Sequence, residues 1–216
     1  MSLMVSSFSY LAEASLMTVF LSVVSIAFGL VLGLLAAVVR VAKVPVADPI
    51  ARVYISVMRG TPLLVQIFIV YFGLPQVGLV FGPITSAIIA LSLNVGAYLS
   101  ESFRAALESV DRGQMDAALS LSMTYWQAMR RIIVPQSFRT ALPTIGNSYI
   151  SLLKDTSLVS VITVQELLRA ASVVIARTYR PLTLYVEAAA IYWVLSSAFS
   201  LLQQRVERMA SKHVRR

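Results

Sequence analysis

The sequence lacks cysteine and contains little histidine and little charge. Its 216 residues include no Cys and one His, which is His213. Thiol redox chemistry is therefore excluded, and a zinc site built from His and Cys ligands is disfavoured. Only 13% of the residues are charged, whereas about a quarter are charged in soluble domains. A water-soluble fold of this length would not have enough charged residues to cover its surface.

The composition and the placement of charge predict a membrane protein. Hydrophobic residues make up 58% of the chain, and its mean hydropathy is +0.79. The net charge of +8 would suit a nucleic-acid-binding protein. However, the basic residues flank apolar runs instead of forming one patch beside exposed aromatic rings. That placement is typical of membrane proteins, so we expect a chain embedded in the lipid bilayer and no nucleic-acid partner.

Long uncharged runs predict an all-α fold with about five membrane-spanning helices. A helix needs roughly 20 apolar residues to cross the hydrocarbon core. The uncharged run over residues 60–100 is too long for one helix, and Gly73, Pro75 and Gly78 interrupt it with turn-forming residues. Pro83 suits the first turn of the helix that follows, where its missing N–H costs nothing. The predicted spans of a single transmembrane domain, residues 1–216, are residues 14–39, 60–80, 83–100, 138–163 and 181–204.

The distribution of Lys and Arg predicts the orientation of these helices. None precedes the first span, whereas basic residues follow it at Arg40, Lys43, Arg52 and Arg59. Five arginines occupy the segment after the third span, and the tail carries Arg205, Arg208, Lys212, Arg215 and Arg216. Because basic segments face the cytoplasm, we expect the N-terminus outside and the C-terminus inside. Three residues contradict this pattern, since the same topology places Arg169, Arg177 and Arg180 outside.

The polar segment over residues 101–137 predicts two short helices joined by a turn. Thr124 and Gln127 have the spacing of a capping box, which predicts that the second helix begins near Tyr125. Pro135 is expected to end that helix, because the residue before a proline avoids the helical conformation. Along the helix, an apolar stripe with basic residues beside it is formed by Trp126, Met129, Ile133, Arg130 and Arg131.

Two interpretations of this segment follow from its pattern alone. Asp116, Ala117 and Ala118 form a small-residue surface against which another protein can pack closely. The segment is then a docking element for a partner. The alternative is an amphipathic hairpin lying on the membrane surface, which basic residues and a Trp also favour.

The residues of the segment resemble the EAA loop of membrane permeases in binding-protein-dependent ABC importers. That motif has glutamate-alanine-alanine, then a glycine, then an isoleucine-x-leucine-proline ending. Here it stands as Asp116-Ala117-Ala118, with Ser122 at the glycine and Ile132-Ile133-Val134-Pro135 at the end. Asp116 keeps the charge of glutamate with a shorter reach. Ser122 would be strained if the turn requires a positive φ.

The resemblance extends over nearly the whole chain. Three further stretches are similar to polar amino-acid permeases of the histidine, glutamine and cystine type: MRGTPLLVQIF from Met58, NVGAYLSESFRAALESVDRGQ from Asn94 and LPTIGNSYISLLKDTSL from Leu142. The resemblance implies a five-span permease of the type I ABC importer kind in the bacterial cytoplasmic (inner) membrane. It also implies a small polar solute, with cystine or another polar amino acid favoured.

The family implies several partners and a coupling role for the loop. The partners would be two cytoplasmic ATPase subunits, a second permease that is identical or homologous, and an external solute-binding protein. The loop would be the coupling helix that sits in a groove on the ATPase. Its implied coupling residues are Asp116, Ala117, Ala118, Ser122, Trp126, Met129, Arg130 and Pro135.

The chain lacks the sequence features of an ATPase. None of Lys43, Lys154 and Lys212 belongs to a G-x-x-x-x-G-K-[ST] pattern, so no phosphate-cradling loop is present. We therefore expect ATP to be bound and hydrolysed by a separate subunit, and no cofactor or metal here. A membrane-embedded enzyme has the least support, because no nucleophile can be paired with a His base. A structural anchor subunit of another membrane complex is the alternative function.

Polar residues within the predicted spans are candidates for a solute pathway. Ionisable side chains at membrane depth usually face a bundle interior or an aqueous cavity, which selects Lys154 and Asp155. Asn147 and Ser151 are four residues apart and share a helical face, and Asn94 lies in another span. Each of these residues has a structural alternative, because polar side chains also cap helices and hold transmembrane helices together.

Overall fold

The computed structural model describes residues 2–211, with side chains from residue 7 to residue 209. Lys212, His213, Arg215 and Arg216, which enter the sequence analysis, lie outside the described residues. Helices account for almost all of the described part, which contains no strand. The predicted all-α fold is therefore confirmed.

The helices among the described residues follow one another with short connections. In chain order they are α1 (Ser2–Val41), α2 (Ala47–Gly60), α3 (Leu63–Phe68), α4 (Pro83–Glu108), α5 (Arg112–Ser120), α6 (Tyr125–Ala128), α7 (Val134–Asp155), α8 (Leu167–Thr178) and α9 (Pro181–Ser211). Segments of different winding extend some of them: a π turn (Ile69–Gly73) and a 3-10 turn (Leu74–Val77) after α3, a π turn (Met129–Ile133) between α6 and α7, and a 3-10 helix (Thr156–Ile162) after α7.

Three helices of the described part, α1, α4 and α9, are each long and apolar enough to cross a membrane. Two further candidate spans are bent. Helix α2 meets the helix that begins at Leu63 at 110°, and the segment from Tyr125 to Ile162 meets α8 at 48°. Counting each bent pair as one span gives up to five spans among the described residues.

The helix boundaries differ from the predicted spans in several places. The predicted span over residues 60–80 begins with a sharp bend, because Thr61 is extended (φ −123°, ψ 149°) in front of Pro62. Helix α4 begins at Pro83 as expected, but it continues to Glu108, beyond the predicted end at residue 100. Helix α7 ends at Asp155, before the predicted limit of residue 163.

Helices α1 and α4 pack closely through glycine. A Cβ atom added at Gly33 would lie 2.9 Å from the carbonyl oxygen of Gly96 and 2.9 Å from Cβ of Leu99. Only glycine allows the two backbones to approach this closely. The α1–α4 pair therefore forms the centre of the bundle around which the other helices are arranged.

The largest apolar core surrounds this pair. It contains fully buried side chains from several helices, including Leu21, Ile67, Leu91 and Val159. Many large hydrophobic side chains point outward instead, among them Phe28, Leu35, Val186, Trp193 and Leu201. An apolar exterior of this kind suits helices that face lipid.

Candidate functional site

A cavity of about 450 Å³ lies between α7, α4 and the bend that joins α2 to α3. The bend and α4 form one wall, and α7 forms the other. The residues that line it are Thr61, Pro62, Leu63, Asn94, Val95, Tyr98, Thr144, Asn147, Ser148, Ser151, Leu152 and Asp155.

The α7 wall is a polar stripe that runs along one helical face. It consists of Thr144, Asn147, Ser148, Ser151 and Asp155, which recur at intervals of three and four residues. None of these side chains makes a hydrogen bond to another described residue of the chain. Asn147 and Ser151 are exposed, so the cavity is open. The stripe thus presents a carboxylate, a carboxamide and three hydroxyls that are available to a solute.

The opposite wall is held by a hydrogen-bond network around Gln66. Asn94 Nδ2 donates to Gln66 Oε1 at 3.0 Å and to the Met58 carbonyl at 3.2 Å. Gln66 Nε2 in turn donates to the Met58 carbonyl at 2.9 Å and to Thr61 Oγ1 at 2.9 Å. Asn94 therefore lines the cavity and also forms hydrogen bonds that hold the bend.

Most of the pathway candidates selected from the sequence line this cavity. Asn94, Asn147, Ser151 and Asp155 all line it. Lys154 is exposed and does not belong to its lining, because neighbouring side chains on a helix point about 100° apart.

Other lining residues were not selected from the sequence. Thr144 extends the same three-to-four-residue spacing that links Asn147 to Ser151, so periodicity was the available signal. Tyr98 lies on another helix, and no local pattern marks it.

A cluster of charges connects three helices beside the cavity. The Glu101 carboxylate pairs with Arg40 of α1, with Arg104 at 2.8 Å and with Arg59 of α2 at 3.9 Å. The Arg59 guanidinium also lies 5.4 Å from the ring centroid of Tyr98, a cavity residue. Spacing within α4 indicates the Arg104 pair, but the two pairs between helices depend on the tertiary fold.

The described part contains no evident metal site. Among the residues whose side chains the structure describes, no three His, Asp or Glu side chains come together to hold a metal ion.

The segment after α4 forms the predicted pair of short helices. Thr124 and Gln127 make the expected capping box, with the Thr124 N–H donating to Gln127 Oε1 at 2.9 Å and the Gln127 N–H donating to Thr124 Oγ1 at 3.3 Å. The second helix begins at Tyr125, as predicted. Ser122 adopts a positive φ of 62° in the turn, the condition under which glycine would be favoured.

Two expectations about this segment need correction. Pro135 does not end the helix, because α6 continues through the π turn at Met129–Ile133 into α7. The wider turn accommodates the proline ring, which in a regular helix clashes with the carbonyl four residues earlier. Ala118 is 1% exposed, and its carbonyl accepts from the Met123 N–H at 3.2 Å. It packs inward and is not part of an open small-residue surface.

Most of the remaining predicted coupling residues are exposed. Asp116, Ala117, Arg130 and Pro135 are exposed, while Met129 is half-buried. Trp126 is 72% exposed and Ile133 only 6% exposed, so the predicted stripe passes from the surface into the bundle. An exposed apolar tip is formed by Leu121, Tyr125 and Trp126.

Comparisons with known proteins agree with this architecture. The profile of the family described as binding-protein-dependent transport system inner membrane component matches residues 29–212. The chain is 42% identical to the probable amino-acid ABC transporter permease protein YckA of Bacillus subtilis (strain 168), over 98% of this chain and 94% of that protein. It is 44% identical to the L-cystine transport system permease protein TcyB of the same organism, over 91% of this chain and 85% of that protein.

A solved structure has the same fold. It is described as an amino acid ABC transporter with histidines, and it matches with a TM-score of 0.90 and 38% sequence identity over 95% of this chain and 96% of that one. The sequence match and the helical architecture agree over nearly the entire length. The chain therefore belongs to the family of inner membrane components of binding-protein-dependent transport systems.

Proposed function

We propose that this chain is the permease subunit of an ATP-driven importer and that a polar amino acid passes through the cavity between α7, α4 and the α2–α3 bend. The observation that carries the proposal is the α7 stripe, whose polar side chains have no hydrogen-bond partner among the described residues. Polar groups at membrane depth are costly when unpaired. Their alignment along one open cavity is explained if a solute binds to them.

The chemistry of the cavity suits an amino-acid zwitterion. The Asp155 carboxylate complements an ammonium group through a charge-assisted hydrogen bond. The Asn147 amide and the Ser148 and Ser151 hydroxyls can donate to a carboxylate. The volume of about 450 Å³ is adequate for a small organic solute. Because the relatives are named as amino-acid and L-cystine permeases, cystine is the first solute to test.

Transport would proceed by alternating access, with the chemistry on a separate ATPase. ATP binding closes two ATPase subunits, and the segment from Asp116 to Pro135 transmits this movement to the helices as rigid-body rocking. The exposed tip at Leu121, Tyr125 and Trp126 provides apolar contact area for a groove on the ATPase. This location favours the docking interpretation of the segment over a hairpin on the membrane surface.

The complex would contain a second permease, identical or homologous, and an external solute-binding protein. We place it in the bacterial cytoplasmic membrane with the N-terminus outside. In this topology α5, α6 and the ATPase share the cytoplasmic side, and the α8–α9 turn is outside. The basic residues that follow α1 support this orientation.

Replacement of Asp155 tests the pathway. The Asp155→Asn variant retains the size of the side chain but removes the charge that would hold the ammonium group. We expect its transport KM for the amino acid to increase about tenfold or more, the factor that corresponds to losing roughly 1.4 kcal/mol. The measurement is uptake into proteoliposomes that contain the whole complex, with Lys154→Met as the matched control.

The two variants distinguish the possible outcomes. Lys154→Met should retain near-normal KM, because Lys154 lies outside the cavity lining. An equal defect in both variants would extend the pathway beyond this cavity. Normal uptake by Asp155→Asn would remove Asp155 from the pathway. A structural anchor subunit, the alternative function, would assemble with its partners but show no ATP-dependent uptake of any amino acid.

A further inference from the structure

The connection between α8 and α9 presents an exposed basic and aromatic surface, here called the outer arginine turn: Arg177, Tyr179 and Arg180. Tyr179 is 86% exposed, and both arginines are exposed. Within residues 7–209, none of the three side chains forms an ion pair or a hydrogen bond. The turn therefore offers two guanidinium groups and a phenol ring to another molecule.

The backbone of the outer arginine turn is hydrogen-bonded to the last turn of α8. Tyr179 has a positive φ of 53°, and its N–H donates to the Ile175 carbonyl at 2.8 Å. Helix α9 begins immediately afterwards at Pro181, whose ring restricts the chain further. A surface that is already ordered loses less conformational entropy when it binds a partner.

Helix electrostatics explain only part of this charge. Arg177 lies in the last turn of α8, where a cation interacts favourably with the helix dipole. Arg180 instead precedes the first residue of α9, where a cation is unfavourable for the same reason. The proposed topology also places both residues outside, although basic residues favour the cytoplasmic side. Arg180 is thus unfavourable both for the dipole of α9 and for the proposed topology, which indicates a role other than helix support.

We propose that the outer arginine turn is a docking site for the external solute-binding protein and that the surface of that protein which meets it is acidic. The inference rests on the proposed function and its topology. The family description makes transport dependent on a binding protein, and such a partner must contact the outward end of the permease. Arg and Tyr are enriched among the residues that dominate protein–protein binding, and opposite charges accelerate the encounter of two proteins.

The test measures how much loaded binding protein is needed to stimulate ATP hydrolysis. The complete complex, in nanodiscs of uncharged lipid, carries Arg177→Glu and Arg180→Glu together, Tyr179→Ala alone, or the control pair Arg177→Lys and Arg180→Lys. We expect the half-maximal concentration of binding protein to increase about tenfold in the double Glu variant and to change less than about twofold in the Lys control. Basal ATPase activity should not change.

Salt dependence provides a second measure of the same contact. Higher ionic strength screens exposed charges. It should therefore increase the half-maximal concentration in the unaltered complex and decrease it in the double Glu variant, where like charges face each other. Tyr179→Ala should weaken stimulation without altering its salt dependence. Removing arginines on the outside does not oppose the proposed topology, so assembly is expected to persist.

The outcomes separate this inference from the proposed function. An unchanged half-maximal concentration and salt dependence in the double Glu variant would overturn the docking site while leaving the importer intact. A change that appears only in nanodiscs containing anionic lipid would assign the turn to lipid headgroups and equally overturn it. Absence of stimulation in the unaltered complex would instead contradict the proposed function. If the double Glu variant does not assemble, the same comparison is made with Arg180→Gln alone.

Discussion

Ser122 occupies a turn position whose backbone conformation favours glycine. Its φ of 62° lies in the left-handed region, where a non-glycine residue is strained by about 1–2 kcal/mol. The side chain is exposed, so packing does not depend on it. The strain is therefore tolerated at this turn and can be relieved by glycine.

Substitution of Ser122 should change the stability of the permease in opposite directions. Ser122→Gly should increase the free energy of unfolding by up to about 1 kcal/mol, and the β-branched Ser122→Val should decrease it by about 1–2 kcal/mol. Thermal unfolding of the purified permease measures both. Ala117→Gly, in the exposed middle of α5, is the control and should destabilise by about 1 kcal/mol. Stabilisation by valine would contradict the assigned conformation.

Individual polar residues were predictable where their helix spacing carried the information. Helix spacing linked Asn147 to Ser151, Asp155 was selected as an ionisable residue within an apolar run, and the structure places all three in one cavity. The pairing of Glu101 with Arg40 and Arg59 was not predictable in this way. It depends on the approach of three helices, and sequence spacing describes only one helix at a time.

At the scale of elements, the segment formed by α5 and α6 exposes its apolar tip and buries its base. Trp126 is 72% exposed at the tip, whereas Ile133 is 6% exposed where the helix joins the bundle. The proposed contact with the ATPase can therefore involve Trp126 directly. Movement at the tip would then pass to α7 without a flexible joint, because the helix is continuous from Tyr125 to Asp155.

Truncation at the tip should weaken ATPase binding. A fully buried large apolar side chain contributes roughly 1.5–3 kcal/mol, so Trp126→Ala should increase the Kd of the ATPase by about tenfold or more. The measurement is ATPase binding to the reconstituted permease. Trp193→Ala is the matched control, because Trp193 is 71% exposed on α9. An unchanged Kd for Trp126→Ala would place the ATPase contact elsewhere.

Charge reversal in α5 should affect coupling more than association. Asp116 is exposed, and Asp116→Lys should leave the ATPase bound while uptake and stimulation of ATP hydrolysis by loaded binding protein decrease together. Both rates are measured in the same proteoliposomes, with Asp116→Glu as the control that keeps the charge. Full uptake with normal stimulation in Asp116→Lys would show that this carboxylate does not participate in coupling.

The start of the capped helix at Tyr125 could be predicted from a local sequence pattern, whereas the way the helices connect could not. The Thr124–Gln127 capping box uses atoms within four residues, so sequence alone indicates it. The passage of the helix through Pro135 required a π turn, which no simple sequence pattern specifies. The 110° bend after α2 has a local cause in Thr61 and Pro62, but Asn94 of the distant α4 also donates a hydrogen bond to the Met58 carbonyl beside it.

At the scale of the whole molecule, the orientation of the chain can be tested independently of transport. Alkaline phosphatase is active only outside the cytoplasm. We expect it to be active when inserted at Gly78, in the exposed turn between α3 and α4, and inactive when fused after Arg216, which lies outside the described residues. The basic residues after α1 and in the tail provide the physical reason. The reverse activities would overturn the orientation, together with the outer arginine turn as a docking site.

The glycine contact between α1 and α4 also has a consequence for the synthesis of the protein. Gly33 and its partner Gly96 are separated by about 60 residues of chain, which a ribosome adds in roughly 3–12 s. Until α4 enters the bilayer, the glycine face of α1 has only lipid or the insertion machinery to contact. Helix α1 therefore remains without its packing partner while the two intervening helices are synthesised. Substitution of its glycines by larger residues should increase degradation of the nascent chain.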